Sequence, residues 1–326
     1  MNPHQIEVLG TVLFAIAVLH TFAVKQFQHL AKRHPEGSVL ENLFHLLGEV
    51  EIVFGLWAGV LILILTTTLG GGEAVAFIER ANFAEPLFVF AIMTIAATRP
   101  VLDFASAVIQ LFSRAVPIPR NAAYLFTALV VGPLLGSLIT EPAAMTVAAL
   151  LLRDRYFSKG LSPKLMYLIL GVLFVNISIG GVLTPFAAPP VLMVAAKWGW
   201  DLQFMLMTFG WKAVIAVAFN AFLVTAIGFK ELKAMPSPNP TGTSVATPVV
   251  LRLLHLAALG LVVLTSHHPA VFMGVLLFFL GLTAITKEYQ DELNLRQGLL
   301  VGFFLGGLVV FGSLQRWWLE PLISGL

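Results

Sequence analysis

A stretch of 32 residues without a charged side chain, 165–196, constrains the fold of this chain most. As one straight helix it would be about 48 Å long, whereas the hydrocarbon core of a bilayer is about 30 Å thick. Gly180, Gly181, Pro185 and Pro189 stand inside it, and these residue types interrupt helices. The stretch therefore predicts a broken transmembrane helix, in which two half-helices are joined by a loop.

The composition is that of an all-α integral membrane protein. Hydrophobic residues make up 58% of the chain and charged residues 11%, against about 25% charged residues in soluble domains. Because the chain has no cysteine, disulfides, thiol catalysis and cysteine-ligated metals are excluded. The net charge of +2 gives no reason to expect nucleic acid, so the lipid bilayer is the expected surrounding.

A second interruption lies at Thr140-Glu141-Pro142, between two apolar segments. The apolar segment after it has about ten residues, or about 15 Å of helix, which is half of the hydrocarbon core. Basic residues flank both ends of the pair, which places both ends on the same side of the membrane. The sequence predicts a re-entrant helical hairpin over 121–155 with its tip at 140–142.

The other apolar segments predict full crossings of the bilayer. With the hairpin treated as re-entrant, most of the 19 Lys and Arg residues fall on one face, which the positive-inside rule makes cytoplasmic. We expect a multi-pass protein of the cytoplasmic (plasma) membrane of a prokaryote, with the N-terminus outside and the hairpin entering from the cytoplasm. The expected crossings, including the broken one, are 8–24, 43–69, 86–98, 165–196, 204–229, 250–266, 270–286 and 299–314.

The chain divides into three parts. Residues 1–230 hold five crossings and the hairpin, residues 231–249 are polar and rich in proline, and residues 250–326 hold three crossings. A polar, proline-rich stretch is typical of a linker. Since an odd number of crossings precedes the linker, the third part starts on the opposite face, as an inverted repeat requires.

A short similarity supports this repeat. Arg99 precedes Asp103 by four residues, and Arg316 precedes Glu320 by four, at the end of the third crossing of each half. The same spacing is also that of an ordinary helix-end ion pair. The sequence thus predicts an inverted-repeat transporter whose second repeat is incomplete, and a chain that is truncated at its C-terminal end.

The broken segment reads Ser178-Ile-Gly-Gly-Val-Leu-Thr184-Pro-Phe-Ala-Ala-Pro-Pro190. It resembles the ion transporter superfamily, which includes sodium/dicarboxylate symporters, arsenite permeases and sodium/proton antiporters, and most of all a family of sodium/proton antiporters. The resemblance implies that the hairpin tip and the broken helix form one site. At the tip, a Ser-Asn-Thr type motif of the symporters is matched by Thr140-Glu141-Pro142. A titratable acid in place of an amide favours proton-coupled exchange.

Glu141 is the main candidate for binding the ion and carrying the proton. A low-dielectric surrounding favours the neutral carboxyl, and a bound cation favours the carboxylate, so one group can exchange a proton for Na⁺. The alternatives are that Glu141 only caps a helix and that the Gly, Pro and Ser residues only form a kink. The other candidates offer hydroxyl, amide or backbone carbonyl oxygens to the same Na⁺, which is a hard cation: Thr140, Asn176, Ser178, Gly180, Gly181 and Thr184.

Glu49 and Glu51 lie in the first turns of the second crossing and are candidates for a proton relay. Two acids at i and i+2 point in different directions on a helix. The alternative is that one of them is only solvated, or is paired with His45, which precedes Glu49 by four residues.

The leading functional hypothesis is a monovalent cation (Na⁺)/proton antiporter that works by alternating access. Two alternatives stay open: a Na⁺-coupled uptake carrier for a small organic anion or oxyanion, and a truncated fragment that does not transport. The chain has none of the zinc-protease, nucleophile-elbow or phosphate-loop motifs, which argues against an enzyme. We expect no cofactor and no transition-metal site, only the transported small cations Na⁺ and H⁺, and a homodimer is compatible with the sequence.

Overall fold

A computed structural model describes residues 2–139, 141–185, 187, 189–236 and 247–324. The described residues are 85% helical and contain no β-strand, which confirms the all-α fold. The α-helices are α1 (Pro3–Ala31), α2 (Val39–Leu47), α3 (Val50–Leu69), α4 (Gly71–Glu79), α5 (Ala84–Ala96), α6 (Arg99–Ala115), α7 (Arg120–Ile139), α8 (Glu141–Arg155), α9 (Pro163–Gly180), α10 (Pro189–Trp198), α11 (Leu202–Met205), α12 (Trp211–Ile227), α13 (Phe229–Ala234), α14 (Val249–Leu264), α15 (Pro269–Ile285), α16 (Leu295–Gly312) and α17 (Arg316–Ser324).

Within the described residues, 6 helical segments are long and apolar enough to cross a bilayer, or 7 if the bent pair α5 and α6 counts as one. The chain is therefore a multi-pass membrane protein. The helices α14 and α15 are apolar but shorter. The 6 segments are Pro3–Ala31, Val50–Leu69, Arg120–Leu138, Pro163–Leu183, Leu202–Ile227 and Leu295–Leu322.

The predicted end of the third crossing is where the chain bends. Helix α5 ends at Ala96, Thr98 is extended, and α6 starts at Arg99 with Pro100 in its first turn. The two helix axes differ by 68°. Arg99, directly before Pro100, is already helical, so the proline does not end α5; it stands in the first turn of α6, where its missing N–H costs no helical hydrogen bond.

The helices pack as two compact units, and the first consists of Met1–Phe90 and Leu295–Leu326. In it, α3 packs against both α1 and α16. Gly307 of α16 lies directly on the backbone of Phe54 in α3, and small residues at such contacts let membrane helices approach closely. The buried side chains of this unit include Leu61 and Phe311.

The predicted second crossing, 43–69, is divided between α2 and α3 because the chain turns at Gly48. The last carbonyls of a helix have no partner within that helix. Side chains of α1 donate hydrogen bonds to these carbonyls: His20 Nε2 donates to Leu47 O at 2.9 Å, and Gln28 Nε2 donates to Gly48 O at 2.8 Å. The break is therefore built into the packing of α1.

The second unit is Ala91–Asn294, and α7 lies at its centre. Helices α6, α8, α9 and α12 all pack against α7. The contact with α8 uses small residues: a β-carbon added at Gly136 would lie 3.1 Å from Ala144 Cβ, and one added at Gly132 would lie 3.5 Å from Ala148 Cβ. The two arms of the predicted hairpin thus pack together. The division of the chain into two repeats at 1–230 and 250–326 is not tested by these contacts and stays a prediction.

Hydrogen bonds fasten the N-terminal end of α7 to α13, which takes up 231–234 of the predicted linker. Asn121 Nδ2 donates to Met235 O at 3.1 Å, and the Tyr156 hydroxyl donates to Asn121 O at 2.5 Å. Burial raises the pKa of the Tyr156 phenol, so this group stays a donor. Glu231 of α13 also accepts bonds from the backbone and side chain of Ser162 at the start of α9.

Candidate ion-binding site

A proline in α7 creates the polar centre of the second unit. Pro133 has no N–H, so the Leu129 carbonyl four residues earlier loses its helical donor. Asn176 of α9 supplies one: its Nδ2 donates to Leu129 O at 2.8 Å and to Val217 O of α12 at 3.1 Å. Asn220 Nδ2 donates to Asn176 Oδ1 at 3.0 Å. The fully buried Asn176 side chain therefore ties three helices together beside Pro133.

One turn further along α9, Gly180 lies against Pro133 itself. A β-carbon at Gly180 would be 2.6 Å from the Pro133 carbonyl carbon and 3.1 Å from Leu134 N. Both of these are backbone atoms, which cannot move aside as a side chain can. Only glycine lets α7 and α9 approach this closely.

One more turn along, α7 and α9 cap each other. Ser137 Oγ donates to Gly180 O at 2.5 Å and accepts from Leu183 N at 3.1 Å. Thr184 Oγ1 in turn donates to Ser137 O at 2.6 Å. Ser137 is 1% exposed and Thr184 3% exposed, so these bonds satisfy groups that water does not reach.

The order of these contacts fixes the direction of the two helices. Leu129, Pro133 and Ser137 of α7 meet residues 176, 180 and 184 in turn, so α7 and α9 run parallel and end at the same place. The C-terminal end of a helix carries about half a negative charge. Two such ends converge here, which favours a cation.

Glu141 comes two residues after the end of α7 and is the first residue of α8. Its backbone N–H donates to Ala187 O, at 3.4 Å, between α9 and α10. Its carboxylate lies against Gly181: a β-carbon at Gly181 would be 2.9 Å from Glu141 Cδ. The positive N-terminal end of α8 lies at this carboxylate. A carboxylate, two negative helix ends and an unwound peptide therefore meet at one point.

A family model described as "Putative Na+/H+ antiporter" matches residues 5–326. The chain belongs to this family. No curated protein and no solved structure matches the chain significantly. Membership in the antiporter family implies a membrane transporter rather than an enzyme.

Four of the residues predicted for the site of this antiporter-family chain come together: Glu141, Gly180, Gly181 and Thr184. Asn176 lies one turn before them and is bonded to the neighbouring helices. The predicted candidate Ser178 is exposed, so its side chain is directed away from this contact. Thr140 lies outside the described residues.

Ser137 is the site residue that sequence reasoning missed. It stands in an apolar part of α7 and belongs to no motif. No local signal marks it: α7 ends at Ile139 and Glu141 begins α8, so the spacing of four residues is not a spacing along one helix.

The predicted relay residues Glu49 and Glu51 belong to the first unit. Arg296 Nη2 donates to Glu49 Oε1 at 2.9 Å, and Glu51 is exposed. The suggested pairing of Glu49 with His45 is wrong. His45 lies 3.0 Å from Glu41 instead, because α2 ends between 45 and 49 and the i−4 spacing no longer brings the two together.

Proposed function

We propose that this chain exchanges Na⁺ for protons across the membrane, with Glu141 binding either ion in turn. The protonated carboxyl releases H⁺ when Na⁺ binds the carboxylate, and takes up H⁺ when Na⁺ leaves. Because one carboxylate serves both ions, they compete, and alternating access of the site to the two sides produces exchange.

The position of Glu141 against Gly181 carries this proposal. A carboxylate within a membrane protein is costly and is a functional candidate by default. Here it lies where two helices end, so it has unwound backbone beside it. Carbonyl and hydroxyl oxygens of Gly180, Gly181 and Thr184 are then the further ligands that a hard cation prefers.

The orientation in the membrane is part of the proposal. We place the N-terminus outside, in the cytoplasmic membrane of a prokaryote, and treat α7 and α8 as a hairpin that enters from the cytoplasm. The distribution of Lys and Arg supports this orientation. It puts the first residues of α7 and the end of α8 on the basic face and Glu141 at depth.

The test is the collapse of a preset pH gradient in proteoliposomes when Na⁺ is added. Wild-type protein should dissipate the gradient, and Glu141→Gln should abolish the signal at every pH while the protein stays folded. Glu79→Gln makes the same chemical change at an exposed position and should behave as wild type. Exchange by Glu141→Gln at the wild-type rate would remove Glu141 from the mechanism. Na⁺-dependent solute uptake without proton movement would favour the uptake carrier instead.

A further inference from the structure

We propose that Ser137 sets the Na⁺ affinity of this site by holding the broken end of α9 beside Glu141. This inference rests on the proposed exchange at Glu141. Ser137 is a positioning residue here, since its contacts are with the protein on both sides of the break.

The hydroxyl of Ser137 bridges the turn that follows α9. Helix α9 ends at Gly180, and a single 3₁₀ turn, Gly181–Leu183, follows. Ser137 Oγ donates to the carbonyl before this turn, Gly180 O, and accepts from the N–H at its end, Leu183 N. Gly181, which the Glu141 carboxylate touches, is therefore enclosed between two backbone groups that are held by one side chain.

The same residue is coupled to Glu141 through α7. The Ser137 carbonyl accepts from Thr184 Oγ1 at 2.6 Å, so the loop after the turn is tied to the same point. Glu141 is four residues later and begins α8. Ser137 thus holds the Gly181 side of this contact, while the bond from Glu141 N to Ala187 O holds the Glu141 side.

Removing the hydroxyl would take one hydrogen bond from the Gly180 carbonyl and one from the Leu183 N–H, next to a side chain that is 1% exposed. The loss of such bonds destabilises the segment that they hold. The turn would relax, and the oxygens around Glu141 would be less well placed for a cation. A site depends on the contacts that hold its ligands in place, so we expect the loss to appear in Na⁺ binding.

The experiment compares Ser137→Ala, Ser137→Thr and Ser113→Ala in the same proteoliposome assay. Ser113 is a matched control, because its hydroxyl bonds only within its own helix, to Gln110 O at an exposed position. For Ser137→Ala we expect the half-saturating Na⁺ concentration to rise about tenfold and the Li⁺/Na⁺ preference to change, with the maximal rate within about twofold of wild type. Ser137→Thr, which keeps a hydroxyl, should restore most of the affinity.

A second readout is the increase in unfolding temperature of the purified protein on adding NaCl rather than choline chloride. This increase should shrink in Ser137→Ala and stay at the wild-type size in Ser113→Ala. A role in folding alone would lower the yield of Ser137→Ala but leave the Na⁺ affinity of the folded molecules unchanged, and that result would overturn the inference. If Ser137→Ala does not fold, Ser137→Cys, a weaker donor of similar shape, takes its place with the same expectations.

The two proposals fail separately. If wild-type protein moves no protons on Na⁺ addition, the proposed function fails. If wild-type protein exchanges the ions and folded Ser137→Ala has the same half-saturating Na⁺ concentration as wild type, only the proposed role of Ser137 fails.

Discussion

Gly180 of α9 lies so close to Pro133 of α7 that a β-carbon added to it would be 2.6 Å from the Pro133 carbonyl carbon. Gly171, in the same helix, is exposed and has no atom within 4 Å of an added β-carbon. The two glycines therefore make a matched pair: one is required by packing and the other is not.

We expect Gly180→Ala to destabilise the protein by about 1–3 kcal/mol, because α7 and α9 must separate to accept the methyl group. Gly171→Ala should be neutral or stabilising by up to about 1 kcal/mol, since alanine is the better helix former. The measurement is the midpoint of thermal unfolding of both variants in detergent. Equal midpoints would show that α7 and α9 are not in this contact.

Gly181→Ala should reduce exchange more than it reduces stability. The added methyl group would meet the carboxylate of Glu141, and a carboxylate at the end of a flexible side chain can turn away. We expect Na⁺-driven proton movement to fall about tenfold or more, since a displaced ligand costs binding. The unfolding midpoint should stay close to that of Gly171→Ala. Wild-type exchange by Gly181→Ala would contradict a site at this contact.

Glu231→Ala is expected to have the opposite profile. Glu231 Oε1 accepts from Ser162 N at 2.5 Å and Oε2 from Ser162 Oγ at 2.9 Å, which holds the first turn of α9. Loss of this cap should lower stability by about 1 kcal/mol, seen as a lower unfolding midpoint. The half-saturating Na⁺ concentration should not change, because the cap is at the far end of α9 from Gly180. A shift in Na⁺ affinity at unchanged stability would count against this assignment.

The two interruptions could be predicted from sequence because their chemistry is local. Glycine and proline inside the apolar stretch gave the break after Gly180, and Thr140-Glu141-Pro142 gave the start of α8 at Glu141. Their meeting was implied by the family resemblance, and the contact between Glu141 and Gly181 agrees with it.

What could not be predicted depends on side chains from distant parts of the chain. The division of 43–69 at Gly48 depends on hydrogen bonds from His20 and Gln28 of α1. The sequence around Gly48 contains no sign of these two partners. The role of Ser137 likewise depends on backbone groups more than 40 residues away, those of Gly180 and Leu183. A serine in an apolar helix has many partners open to it, and only the tertiary structure selects these.

Pro133 and Asn176 should be coupled in a double-mutant cycle. Asn176→Leu alone leaves the Leu129 carbonyl without a donor in a buried place, at a cost of about 1–3 kcal/mol. Pro133→Ala gives residue 133 an N–H that can bond to the same carbonyl within α7. In the Pro133→Ala background, Asn176→Leu should therefore cost about 1 kcal/mol less than in wild type. The remaining cost reflects the lost bonds to Val217 O and from Asn220 Nδ2.

The free energies come from equilibrium unfolding of the four proteins in mixed detergent. If the losses of unfolding free energy in the two single variants add up to that of the double variant within about 0.5 kcal/mol, Asn176 does not donate to the Leu129 carbonyl that Pro133 leaves without a partner.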